Sequence, residues 1–208
     1  MKRLHILFGS LLILTISSLG LAHAEDAASA MKRIAGEVAV LNLGFDDYVL
    51  GRTLNKEQQA MAKANRIAKS VEGTIKFQDG DVFVIARNDD YLVLGIYKEY
   101  TGAERQEVKN VVGDLMLRFN EPTTMAHDKL IYWAFNKDGR IDQDDYKSSK
   151  QSEDTNIIAT VKFHSTSSIF PDPAPKQEKQ GNKEAEEKAD IYVMITSDPL
   201  SKIFLAQQ

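Results

Sequence analysis

None of the 208 residues is a cysteine. This absence excludes disulfides, thiol catalysis, cysteine-bound zinc and iron–sulfur clusters. Glycine-rich phosphate loops are also absent, and only two of the four histidines, His127 and His164, lie beyond the first 24 residues. These two histidines do not have the spacing of a zinc-binding helix motif. The sequence therefore offers few of the side-chain sets that metal-dependent or nucleotide-dependent enzymes use.

The first 24 residues have the three parts of a secretory signal peptide. Residues 2 and 3 are basic, residues 4–21 are mostly apolar, and 22–24 (Ala-His-Ala) fits the small-x-small cleavage pattern. An uncleaved membrane anchor is the alternative, because about 18 apolar residues are enough to span a bilayer. The abrupt acidic start at Glu25 favours cleavage. The pattern predicts a periplasmic or secreted protein.

Removal of residues 1–24 leaves 24 basic residues against 30 acidic ones, a formal net charge of −6. An acidic protein repels phosphate backbones, so nucleic acid is not expected as a partner. No further apolar run approaches the length of a membrane span, which predicts no integral span after cleavage.

Apolar residues at helical spacing predict helices over 27–41, 55–72 and 103–119. Asn55 with Gln58 three residues later is typical of a capping box at a helix start. Period-two patterns predict strands over 74–77, 82–86, 91–97, 129–135, 157–163 and 191–196. Turn residues between neighbouring strands make the pairing antiparallel. We therefore predict an α+β fold, with an antiparallel sheet of five to seven strands and about three helices packed on one face.

One polar stretch, residues 171–189, has three prolines, many Lys and Glu, and almost no apolar residues. Such a segment cannot bury enough surface to offset its ordering entropy. We predict that residues 25–208 form a single domain and that 171–189 is a disordered excursion from it.

Residues 136–145 resemble the middle and end of an EF-hand calcium loop. In that register Asn136, Asp138, Asp142 and Asp145 supply oxygen ligands, and Gly139 is the turn glycine. However, Ala134 occupies the position of the first carboxylate, and a strand rather than a helix precedes the loop. The alternative is a hairpin that uses Asp-Gly for its backbone geometry. Calcium is the only cofactor that the sequence leaves open.

An aromatic strand, residues 130–135, is the best candidate for a binding surface. Tyr132, Trp133 and Phe135 are candidate contacts for a ligand or partner. Strand alternation places Trp133 and Phe135 on one face and Tyr132 on the other. The alternative is that Trp133 belongs to the core.

These patterns favour an exported, soluble, non-enzymatic protein that binds a protein or small molecule. An extracytoplasmic hydrolase with a site centred on His127 or His164 and an Asp is the alternative from a different class. Each histidine has a polar neighbour in sequence, but sequence adjacency does not give the geometry of a catalytic triad.

The predicted signal peptide determines where the mature protein should begin. The protein isolated from its native host should begin at Glu25, because the peptidase cuts after Ala24. Amino-terminal sequencing of the exported fraction measures this. Intact cytosolic material that still begins at Met1 would contradict the assignment.

Overall fold

The computed structural model describes residues 26–151, 156–169 and 188–208. The predicted signal peptide, residues 1–24, lies outside the described residues, and so does most of the predicted polar excursion. Ala189, the last residue of that excursion, instead begins a strand. No helix among the described residues is long and apolar enough to cross a membrane.

The described chain is α+β, as predicted, with five helices and ten strands. The helices are α1 (Ala27–Val40), α2 (Lys56–Ala64), α3 (Arg105–Phe119), α4 (Gln143–Gln151) and α5 (Asp198–Leu205). The strands are β1 (Gly44–Phe45), β2 (Tyr48–Val49), β3 (Thr74–Asp79), β4 (Val82–Arg87), β5 (Val93–Ala103), β6 (Thr124–Ala126), β7 (Leu130–Asn136), β8 (Gly139–Arg140), β9 (Ala159–Ser165) and β10 (Ala189–Thr196).

Eight strands form one antiparallel sheet in the order β3-β4-β5-β10-β9-β7-β6, with β8 paired to β7. The sheet thus has one strand more than the upper limit of the prediction. The last strand in sequence, β10, lies between β5 and β9 and joins the two halves of the sheet. β1 and β2 form a separate two-stranded hairpin.

Alternation along the strands divides the sheet into two faces. On the core face, Ile191, Val193 and Ile195 of β10 are almost completely buried. They belong to one hydrophobic cluster that also contains the inner residues of α1, α3 and α5. We call the opposite side the open face. Its large side chains are half-buried and do not belong to that cluster.

Helix α2 begins as predicted, with Asn55 and Gln58 in a reciprocal capping box. It ends at Ala64, eight residues before the predicted boundary. The next residues pair with the outer edge of β3: the Asn65 side chain donates to the Gln78 carbonyl at 3.0 Å, and the Ile67 N–H donates to the Lys76 carbonyl at 2.7 Å. Pairing with a sheet edge replaces the helical hydrogen bonds that periodicity predicted.

The packing of Trp133 against the end of α3 can be tested by substitution. Trp133 is fully buried, its ring centre is 6.1 Å from that of Phe119, and its indole N–H donates to the Asn120 carbonyl at 2.9 Å. Trp133→Phe should lower the free energy of unfolding by about 2 kcal/mol, because it leaves a void and removes that hydrogen bond. Denaturant unfolding followed by circular dichroism measures this.

Leu117→Ala is the matched control, since Leu117 is 87% exposed on the outer side of α3. A Trp133→Phe variant as stable as this control would contradict the packing described for Trp133.

Candidate binding surface

The open face is built from side chains that the strand registers align in three rows. The first row is Lys76, Ile85, Gly95, Thr196, Thr160 and Ala134. The second row is Gln78, Phe83, Tyr97, Met194, Lys162, Tyr132 and Thr124. The third row is Glu99, Tyr192, His164, Leu130 and Ala126. The large apolar residues of these rows concentrate on β4, β5 and β10.

Phe83 and Tyr97 form the aromatic centre of this face. Their rings stack with centroids 4.5 Å apart and planes 4° apart, as directly opposed residues of neighbouring strands can. The Lys76 Nζ lies 5.7 Å from the Phe83 ring centre and 5.2 Å from the Tyr97 ring centre. This cation–π contact holds an ammonium group beside the aromatic pair.

A second group of aromatic and basic side chains surrounds Tyr132. The Lys162 Nζ lies 5.6 Å from the Tyr132 ring centre, and the Tyr146 ring of α4 is 5.7 Å from it. Burial, with Tyr146 nearby, raises the pKa of Tyr132 to about 12, so its hydroxyl is protonated at neutral pH. In the first row, the Thr160 hydroxyl is 3.1 Å from that of Thr196. The face therefore presents fixed hydroxyl groups next to its apolar side chains.

Lys76 and Lys162 are the only charged side chains of the first two rows. Among the described residues, neither lysine has a carboxylate within 4.0 Å. In the third row, the negative charge of Glu99 raises the pKa of Tyr192. The centre of the open face is therefore positive, although the protein as a whole is acidic.

The three aromatic residues predicted as ligand contacts lie on opposite sides of the sheet. Trp133 is 0% exposed and Phe135 is 6% exposed, so both belong to the core rather than to a ligand-facing surface. Their burial follows from contact with Phe119 of α3. Tyr132 alone of the three lies on the open face.

The residues of the predicted calcium loop form hydrogen bonds within a turn and at the start of a helix. The Asn136 carboxamide accepts the Asp138 N–H at 2.9 Å within the turn that joins β7 to β8. The Asp142 carboxylate accepts the N–H groups of Asp144 and Asp145 at the start of α4. No group of three or more His, Asp or Glu placed to hold a metal ion occurs in the described parts of the chain. Residues 136–139 thus form the turn of a hairpin, as the alternative interpretation predicted, whereas calcium binding by residues 136–145 stays a prediction.

The two histidines lie in different parts of the fold. His127 and Asp128 both have positive φ, 53° and 52°, in the turn between β6 and β7. His164 lies on the open face, with its ring centre 6.3 Å from that of Tyr192. Within residues 26–151, 156–169 and 188–208, neither imidazole hydrogen-bonds to a serine or a carboxylate. The hydrolase alternative gains no geometric support from them.

A cleft of about 300 Å³ lies between the β1–β2 hairpin and the start of α2. Asp47, Arg52, Asn55 and Gln58 are among the residues that line it. Its polar groups are largely used in structure: Gln58 donates to the Asp47 carbonyl at 3.0 Å and shares the capping box with Asn55. The open face is the stronger candidate because it brings stacked aromatic rings and two lysines together on one continuous surface.

The chain matches no protein-family model, no curated protein and no solved structure. Its function is therefore inferred from the side chains alone. Sequence reasoning missed Phe83, Tyr97 and Met194, although alternation within β4 and β10 places large apolar residues on both faces. That two-sided pattern was the available signal.

Hydrogen exchange tests the role of Asp142. Asp142→Ala should speed amide exchange in α4 by the equivalent of about 1 kcal/mol, because it removes the carboxylate that caps the helix start. Millimolar calcium should leave exchange in the wild-type protein unchanged. Asp138→Ala is the control, since Asp138 contacts the neighbouring Lys137. Protection of α4 by calcium in the wild type alone would contradict the capping role and indicate a metal site.

Proposed function

We propose that this protein is exported and works outside the cytoplasm as a non-enzymatic binding protein, with the open face as its binding surface. The observation that carries the proposal is the two-sided sheet. An antiparallel sheet with one wet face normally alternates apolar and polar residues. Here the open face instead has Phe83, Ile85, Tyr97 and Met194 side by side on three adjacent strands.

Contiguous apolar patches on a protein surface mark sites of interaction. Aromatic residues and methionine are enriched at such interfaces, because they bury a large area with few rotatable bonds. Tyr97 and Tyr132 also present hydroxyl groups, and Lys76 and Lys162 present charge. Apolar area, hydroxyl groups and charged groups all serve to bind and orient a partner. Their presence together supports a binding function over a catalytic one.

The proposal is tested with the double variant Phe83→Ser/Tyr97→Ser. Immobilised wild-type protein, without residues 1–24, is exposed to the exported fraction of the native host. Retained proteins and small molecules are then identified by mass spectrometry. We expect at least one species to be retained about ten-fold less by the double variant, because the contact area at the centre of the face is lost.

Leu117→Ser is the matched control, since it removes one exposed apolar side chain from α3 and leaves the open face intact. Circular dichroism and thermal melts confirm that each variant is folded. If all three proteins retain the same species equally, the open face is not the binding surface and the proposal fails.

A further inference from the structure

We infer that the partner segment held by the open face is an amphipathic α-helix with acidic residues on both flanks of its apolar stripe. The helix lies along β4, β5 and β10, between Lys76 and Lys162. This inference rests on the binding function proposed above and names the chemistry of the partner.

The charge of the partner follows from the two lysines. Lys76 and Lys162 contact aromatic rings, and no carboxylate of the described residues lies within 4.0 Å of either. Lys98, on the other face, is by contrast within 4.0 Å of both Asp46 and Asp81. An apolar surface bordered by two unpaired ammonium groups is complementary to an apolar segment bordered by carboxylates.

The spacing of the lysines fits the width of a helix. Lys76 is on β3 and Lys162 is on β9, four strand positions apart in the sheet. At the usual strand spacing this separation is about 19 Å. A helix with its side chains is about 10–12 Å across, so it fits between these two strand positions once the Lys76 ammonium group moves from the Phe83 and Tyr97 rings to the flank of the helix.

The length of the strands sets the length of the helix. β4 has six residues and β10 has eight. A six-residue strand spans about 20 Å, which about 13 helical residues also span. Three to four turns of helix therefore span these strands, and the apolar side chains between the lysines, which lie in the first two rows about 7 Å apart, contact the middle turns.

Two further observations favour a helix over an added strand. The outer edge of β3 is already paired with residues 65–67, and β6, at the other edge, has only three residues. Addition of a partner strand needs a free edge. In contrast, α4 already reaches one end of the open face through the contact of Tyr146 with Tyr132. A partner helix beside α4 continues a second helical layer over the sheet.

The test uses the mature protein and two lactam-stabilised helical peptides of about 14 residues, because an unconstrained peptide of that length is only marginally helical. Both peptides have leucine along one stripe, and they differ in having Glu or Lys on both flanks. We expect the Glu peptide to bind at least ten-fold more tightly than the Lys peptide in a calorimetric titration.

The double variant Lys76→Glu/Lys162→Glu should bind the Glu peptide about 5- to 30-fold more weakly, since two ion pairs become repulsive. Lys32→Glu/Lys109→Glu is the matched control, with the same change in net charge at exposed positions of α1 and α3. It should change the affinity by less than about two-fold. The double variant Lys76→Arg/Lys162→Arg keeps both positive charges and should retain binding. It therefore distinguishes an effect of charge from a loss of folding.

Equal affinity for the two peptides, no binding of the Glu peptide, or equal effects of the two charge-reversal variants would each overturn the inference. Binding of phosphatidylglycerol vesicles without binding of the Glu peptide would also overturn it. The retention experiment with Phe83→Ser/Tyr97→Ser distinguishes the two proposals. If the wild type retains another class of molecule and the double variant does not, the binding function is supported and the helical partner is wrong.

Discussion

The pairing of β10 with β5 on one side and β9 on the other holds the sheet together. Without it, the meander β3-β4-β5 and the group β9-β7-β6 are two separate half-sheets. Register in β10 is fixed by the burial of Ile191, Val193 and Ile195, since a slip of one residue would turn all three toward solvent. The other set of β10 side chains is thereby fixed on the open face.

The open face depends on the same pairing. Tyr97 of β5 and Lys162 of β9 are opposite Met194 only because β10 lies between their strands. Side chains that are almost a hundred residues apart in sequence thus form one continuous row. The positions of the open-face side chains and of the core side chains beneath them are set by the same hydrogen-bonded ladders. A preordered surface loses less conformational entropy when a partner binds.

Short-range sequence patterns predicted the fold class and the first residues of several elements. The other helix and strand boundaries depend on contacts between residues far apart in sequence. The capping box of Asn55 is a short-range signal, and it is seen in the structure. Helix α2 was predicted too long, because the edge of β3 takes residues 65–67. Helix α4 was missed, because it has almost no apolar stripe. In the aromatic strand, alternation separated Tyr132 from Trp133 correctly, but only the contact with α3 determines which face is core.

For the proposed partner, the local charge of the open face matters more than the net charge of the protein. The formal net charge of −4 favours cationic partners at long range, but at physiological ionic strength such fields are screened beyond about 8 Å. At contact, a basic partner meets Lys76 and Lys162 and is repelled. A cation–π contact contributes about 0.5–1 kcal/mol at an exposed site and leaves the ammonium group available to an anion. The aromatic rings therefore do not neutralise the two charges, and the carboxylates of the proposed partner would supply the pairing that the described residues do not.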